Sequence, residues 1–317
     1  MGILNIRQAE RTGARGVFGF AGPSGSGKTL TALYFAWGLA GGDASKVGFI
    51  DTENRRGSLY ADKLVDKNGD VQKFLIADLV APFSPQRYIS AIQEFQAAGV
   101  EVLVIDSVTH EWEGTGGCEE IAAGESKASI GWMKAKQSHK RFMNTMLQCD
   151  MHIVPCIRAR EKTSFQNPKK PVSLGVCPIC EKNFMFEMTA SVMMADEGKR
   201  QYVMKCPDDL RQFLGRQNDY ITHVDGYRVR QWIDGASQQD KAVESARNFL
   251  TMHAEDGEDA ARANWENLPE QVRFALGEGF KNQLFESAAA YSGISKSHEE
   301  EVPSDEESFA YPTTPEE

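Results

Sequence analysis

Long apolar runs are missing from this 317-residue sequence. Nothing in it approaches the roughly eighteen consecutive apolar residues a membrane-spanning helix needs, so no transmembrane helix and no membrane partner are expected. The opening segment, MGILNIRQAERTGARG, lacks the continuous apolar core of a secretory signal. Gly2 is present, but Ile6 stands where a myristoylation signal needs serine or threonine. Cytoplasmic residence is the resulting expectation. Cysteine is sparse, at six residues (Cys118, Cys149, Cys156, Cys177, Cys180 and Cys206), and with no sign of export these read as free thiols. No internal repeat occurs.

Basic residues are also in short supply, and the net charge of −10 argues at first against a nucleic-acid partner. The distribution alters that. Between Lys296 and Glu317 eight acids face one lysine, so this tail carries −7 of the −10 and leaves the body near −3. A near-neutral body can carry a local basic site. At 41% hydrophobic and 25% charged residues the composition is that of a soluble globular protein.

Residues 1–235 alternate strand-like apolar runs with helical segments, the pattern of an α/β fold with a mostly parallel central sheet. Strands are expected at 16–20, 47–50, 74–76, 100–105, 153–157, 184–194 and 201–204, the last two as a hairpin around Asp196-Glu197-Gly198. Helices are expected at 29–39, 85–98 and 132–149. From 236 to 293 the character changes: Ala242, Ala246, Phe249 and Leu250 recur at helical spacing, and Pro269 suits a helix start. A small helical appendage is predicted there, followed by a disordered acidic tail over 294–317.

The segment Gly22-Pro23-Ser24-Gly25-Ser26-Gly27-Lys28-Thr29 matches G-x-x-x-x-G-K-[ST] in full. Glycines let the backbone curl so that successive N–H groups point at phosphate oxygens, and Lys28 adds positive charge near the β and γ phosphates. Thr29 offers a hydroxyl to Mg²⁺, and the helix that follows, including Leu30, presents its N-terminal dipole to the anion. A P-loop needs a metal-orienting acid on a neighbouring strand. Val102-Leu103-Val104-Ile105-Asp106 supplies an apolar run ending in one. ATP and Mg²⁺ are the expected cofactors.

Phe49-Ile50-Asp51-Thr52-Glu53, followed by Leu59-Tyr60-Ala61, resembles the RecA recombinase family just after its second core strand. The resemblance implies a RecA-like P-loop core, with Glu53 activating the attacking water and Tyr60 packing against adenine. Asp106-Ser107-Val108 is similar to the family's Walker B segment. Its polar γ-phosphate sensor falls near Cys156, where cysteine departs from the usual glutamine and Arg158 is the substitute. Trp112-Glu113-Gly114 and the segment Glu181 to Thr189 resemble bacteriophage RecA-like ATPases of single-strand annealing and recombination. The similarity covers roughly residues 15–235. It implies a homo-oligomer, ring or filament, completed by a trans cation for which Lys205, Arg158 and Arg160 are rivals. It also implies single-stranded DNA and a single-strand-binding or recombination protein as partners, within the host cytoplasm. A transporter ATPase is disfavoured because no LSGGQ-like signature is present, and a small-molecule kinase because of the Glu53 segment.

The stretch Arg158 to Lys170 is the expected DNA-contacting loop. Its five basic residues include Lys162, Lys169 and Lys170 and surround Phe165, a stacking candidate. A solvated loop whose arginines serve ATP across a subunit interface is the competing reading. Gly114 to Gly131 is a second flexible candidate. Cys177-Pro178-Ile179-Cys180 has zinc-knuckle spacing, with Cys206 as a third ligand, but no second C-x-x-C accompanies it. The acidic tail is either a solubilising extension or a DNA mimic. An ATP-controlled loader or scaffold that remodels a replication protein is the alternative function, and a nucleotide-binding module with little turnover is a third.

Overall fold

The computed structural model describes residues 14–66, 68–164, 171–234 and 236–299. The chain divides into two compact units, Met1–Gly235 and Ala236–Glu317. Among the described residues the first unit carries β1 (Phe18–Gly22), β2 (Val47–Asp51), β3 (Leu75–Asp78), β4 (Val102–Asp106), β5 (His152–Ser164), β6 (Val172–Pro178), β7 (Ala190–Ala195) and β8 (Arg200–Lys205). Its helices are α1 (Lys28–Leu39), α2 (Pro85–Ala97), α3 (Thr109–Glu113), α4 (Cys118–Ala123), α5 (Ala128–Gln148), α6 (Phe184–Glu187), α7 (Arg211–Leu214) and α8 (His223–Asp234).

The strands run in the order β3-β2-β4-β5-β1-β7-β8, parallel from β3 through β7. Strand β8 pairs antiparallel with β7, and β6 antiparallel with β5. Every residue of β1, β2 and β4 is buried, as a parallel sheet covered on both faces requires. Successive side chains therefore feed two cores. Phe49, Val102 and Val104 join Phe20, Leu33 and Phe35 on the α1 face, while Ile50, Leu103 and Ile105 join Tyr88, Ile92 and Phe142 on the α2–α5 face. Helices α1 and α8 cross at two glycines. A Cβ on Gly38 would lie 1.8 Å from the His223 carbonyl oxygen, and one on Gly226 would lie 2.0 Å from that of Phe35.

Several sequence expectations are corrected. The segment 184–194 is not one strand: Phe184–Glu187 forms a helical turn, with Phe184 and Met185 buried under the α5 face, and β7 begins only at Ala190. The strand expected to stop at Ile157 continues to Ser164, because β6 provides an antiparallel partner for Ala159 to Ser164. The basic stretch is thus a strand as far as Ser164, while Phe165, Lys169 and Lys170 lie outside the described residues. Within Gly114 to Gly131, Cys118–Ala123 is helix α4, packed on α5 through Cys118, Ala122 and Ala135. Gly131 permits the approach, since a Cβ there would meet the Ala122 carbonyl oxygen at 2.1 Å.

His152, fully buried at the start of β5, accepts the Gly16 N–H on Nδ1 at 3.1 Å and is held neutral. Burial, reinforced by the charges of Arg15 and Arg230, lowers its pKa from 6.5 to about 4. A depressed histidine pKa means the unfolded chain binds the extra proton, so the contribution is full above pH 6.5 and is lost as pH falls towards 4. Urea unfolding should show a loss of roughly 2–3 kcal/mol from this group by about pH 4.5. His152→Asn, whose amide oxygen can replace Nδ1 as acceptor, should lack that component. Equal acid losses in both proteins would contradict the assignment.

The second unit contains α9 (Ala236–Met252), α10 (Glu258–Asn267) and α11 (Glu270–Glu299), with its own core of Leu250, Trp265, Leu276, Leu284 and Ala288. Gly277, at φ 76°, breaks α11. Residues 300–317 of the acidic segment lie outside the described residues. No helix among the described residues is long and apolar enough to cross a membrane.

Candidate nucleotide-binding site

Parallel register gathers the site at one edge of the sheet. Asp51 lies across from Asp106, Asp106 from Cys156, and Gly22 from Arg158; β1, β2 and β4 end at Gly22, Asp51 and Asp106, while β5 runs on past them to Ser164. Open parallel sheets bind ligands outside the carboxyl ends of their strands. There β1 passes through the P-loop into α1, with Gly25 and Gly27 at φ 79° and 81°, a left-handed curl that other residues resist. Gly27 also needs to be small, because a Cβ would approach the Glu197 carbonyl oxygen at 2.7 Å.

The loop fits an anion. Lys28 is only 9% exposed, and its ammonium donates to the Pro23 carbonyl at 2.8 Å, over its own loop. The buried Ser26 hydroxyl has no hydrogen-bond partner among the described residues, a polar atom that phosphate would satisfy. Leu30 is half-buried in the first turn of α1.

Thr29 donates its hydroxyl to Asp106 Oδ2, joining the two side chains expected at Mg²⁺. Burial raises the Asp106 carboxyl to about 6; the Thr29 hydrogen bond opposes the rise, and the nearby charges of Glu53 and Asp51 add to it. A buried carboxylate crowded by two others is a good place for a divalent cation. Mg²⁺ held by Thr29 and Asp106 would neutralise charge on the β and γ phosphates.

Glu53 is placed by a residue that sequence reasoning passed over. Asp51, 2% exposed, accepts the Glu53 N–H at 2.6 Å on one oxygen and the Gly57 N–H at 2.7 Å on the other. Thr52 then bonds to the Ser107 backbone and to His110 Nδ1, locking the turn onto the end of β4. Arg158 grips Glu53 with two hydrogen bonds, Nε to Oε1 at 2.6 Å and Nη2 to Oε2, and Arg56 stands 4.0 Å away. Burial alone would raise the Glu53 carboxyl. The hydrogen bond and charge of Arg158 outweigh it and hold the group below its ordinary value.

The other candidates are distributed around this centre. Cys156 is fully buried within the α1-face core, its thiol pushed well up by burial, so the polar group next along β5 is Arg158. Arg160 pairs with Glu113 at 3.2 Å. Lys162 is exposed on β5. Lys205 lies across from Ser191, towards the end of the sheet where β1 begins, and donates to the Phe186 carbonyl. Tyr60 ends a short helical turn and packs against the α1-face core with Tyr34 and Phe74 as fellow rim residues.

Beside the P-loop lies a cavity of about 630 Å³, lined by Pro23 to Ser26, the end of β6 and the β7–β8 hairpin. Met193, Met194, Met204, Tyr202 and Val176 make its wall largely apolar, and Tyr60 is not part of the lining. Its position and size suit a nucleoside. The sequence signal was present in Met193-Met194 and Tyr202, but only strand pairing brings them to the loop. Cys177 and Cys180 do not join Cys206 in a ligand cluster among the described residues. Burial pushes the Cys180 thiol up to about 12.

A family model described as an AAA domain matches residues 17–192, the span holding the P-loop, Glu53, Asp106 and Arg158. No curated protein matches the chain. Among solved structures, a KaiC-like protein from the hyperthermophilic archaeon Pyrococcus horikoshii is similar at 16% identity and a TM-score of 0.35, covering 61% of this chain and 80% of that one.

Proposed function

This chain belongs to the AAA domain family, and from that premise we propose that it is an oligomeric, Mg²⁺-dependent ATP hydrolase that binds single-stranded DNA in phage-type recombination or annealing. Hydrolysis is supported by Glu53 beside Asp106 at the strand ends that face the P-loop. Glu53 takes the proton of the attacking water, Lys28 and the loop amides hold the phosphates, and the apolar cavity seats the base. Arg158 must release Glu53 before the carboxylate can act.

The observation that carries the coupling to DNA is the continuity of β5. Arg158 holds the catalytic glutamate, and the same strand continues through Arg160 and Lys162 into the β5–β6 hairpin. A phosphate backbone bound along that strand has a direct mechanical path to the Arg158–Glu53 contact. Oligomerisation is the reading under which Arg160 and Lys205, both partnered away from this chain's own P-loop, leave the trans charge to another copy. A neighbouring subunit supplies the missing charge.

Fluorescence anisotropy with a labelled oligonucleotide tests the DNA step. Binding should weaken as salt rises, and Lys162→Ala should reduce the log–log salt slope by about 0.7 for one lost phosphate contact. DNA that neither binds nor alters ATP turnover would refute the coupling. The loader or scaffold reading is favoured by Phe249, Met252 and Tyr291, all exposed on the helical unit. Turnover that ignores DNA but responds to a replication protein would select it.

A further inference from the structure

We propose that Glu111, Cys118 and His139 form a structural zinc site, separate from the nucleotide site and independent of the function proposed for it. The three residues come from α3, α4 and α5, and their ligand atoms all lie within 4.8 Å of one another. Cys118 Sγ is 3.2 Å from Glu111 Oε1, and His139 Nδ1 is 3.0 Å from Glu111 Oε2. Tetrahedral zinc, with bonds of about 2.0–2.3 Å to nitrogen, oxygen and sulfur, separates its donors by roughly 3.2–3.7 Å. Glu111 Oε1 is also 3.2 Å from His139 Nδ1, so through this one oxygen two of the three donor pairs stand near the edge lengths of a zinc tetrahedron. The Ala135 carbonyl oxygen lies 3.7 Å from Cys118 Sγ.

Charge provides the second argument. Glu111 is 1% exposed, Cys118 0% and His139 7%. The one ion-pair partner of Glu111 among the described residues is His139. A divalent ion bound by one thiolate, one carboxylate and one neutral imidazole sums to zero. The thiolate and imidazole select a borderline metal of the zinc class over magnesium or calcium. Around the trio, Trp112 meets the His139 ring edge-on at 5.4 Å and Phe184 lies 5.5 Å from it, closing the site to water.

The site's location gives it a task. Helix α3 also carries Thr109, which accepts the Arg158 N–H at 2.8 Å; His110, which meets Thr52; and Glu113, which pairs with Arg160. Fixing Glu111 fixes the helix on which these contacts depend. A metal here positions the Arg158–Glu53 region without touching nucleotide.

The test is elemental analysis of the full chain, purified without chelator and with any tag removed, expecting about one zinc per chain. Cys118→Ser should reduce the content more than tenfold, whereas the Cys177→Ser/Cys180→Ser double variant should keep it. Protein produced in cobalt-supplemented medium should show a thiolate-to-cobalt charge-transfer band in the near ultraviolet. If Cys118→Ser fails to fold by circular dichroism, the cobalt band of the otherwise unaltered chain decides, read with and without Cys177 and Cys180. Absence of both stoichiometric zinc and the cobalt band would overturn the proposal. A band lost in the Cys177→Ser/Cys180→Ser variant would equally overturn it, by placing the metal at the other cysteines.

Discussion

Lys28→Ala is expected to reduce ATP turnover by at least about 10²–10³-fold, the usual cost of losing one donor aimed at developing charge. The loss should also appear in affinity, because a charge-assisted hydrogen bond to phosphate contributes about 1.5–3 kcal/mol. Lys28 is nearly buried and donates to the Pro23 carbonyl, so the substitution also removes a contact within the loop. That contact, made by a charged donor, is worth about 1.5–3 kcal/mol at most. The variant should therefore remain folded, melting several degrees at most below the parent, while binding nucleotide about 10- to 150-fold more weakly. Turnover within tenfold of the parent would show that phosphate is not held by this loop.

Glu53→Gln should separate binding from chemistry. General-base assistance contributes about 10²–10⁴-fold, and glutamine keeps the shape while removing the basic oxygen. Phosphate release should fall by that factor with ATP affinity little changed. One charge that raises the Asp106 carboxyl also disappears, so metal-dependent nucleotide binding should persist to slightly lower pH. Glutamine can still accept from Arg158, which limits any effect on the fold. Unchanged turnover would mean that Glu53 is not the base and would favour a binding module with little turnover.

What the sequence revealed, and what it hid, follows from how far apart the cooperating residues lie. The P-loop is contiguous, so Gly22 to Thr29 was legible as a block, and Asp106 was legible because it ends an unbroken apolar run. Glu53 and Asp106, whose roles the family resemblance implied, come together because β2 and β4 pair in parallel register. The Arg158 grip on Glu53 spans 105 residues and depends on the register that β4 sets between β5 and β2, which no local pattern encodes. Gly114 to Gly131 looked flexible for its glycines, Gly116 and Gly117 among them. Its apolar positions, Cys118 and Ala122, are instead spent on the close face against α5. The apolar face of 184–194 suggested a strand, yet Phe184 and Met185 are buried from a single helical turn. Exposed Val172, Leu174 and Val176 alternate as a strand should, but the partner that makes them one is the far end of β5. Glu111, Cys118 and His139 belong to three helices and share no spacing that a linear motif would register.

Single-turnover phosphate release from Mg²⁺·ATP, followed with and without single-stranded DNA in the full chain and in Glu53→Gln, tests the central claim most directly. The arrangement of Glu53, Arg158 and β5 predicts slow release by the unaltered chain alone, faster release once DNA is bound, and near-background release by Glu53→Gln in both conditions. Mg²⁺·ATP that stays intact in the unaltered chain, or is cleaved equally fast by Glu53→Gln, would contradict it.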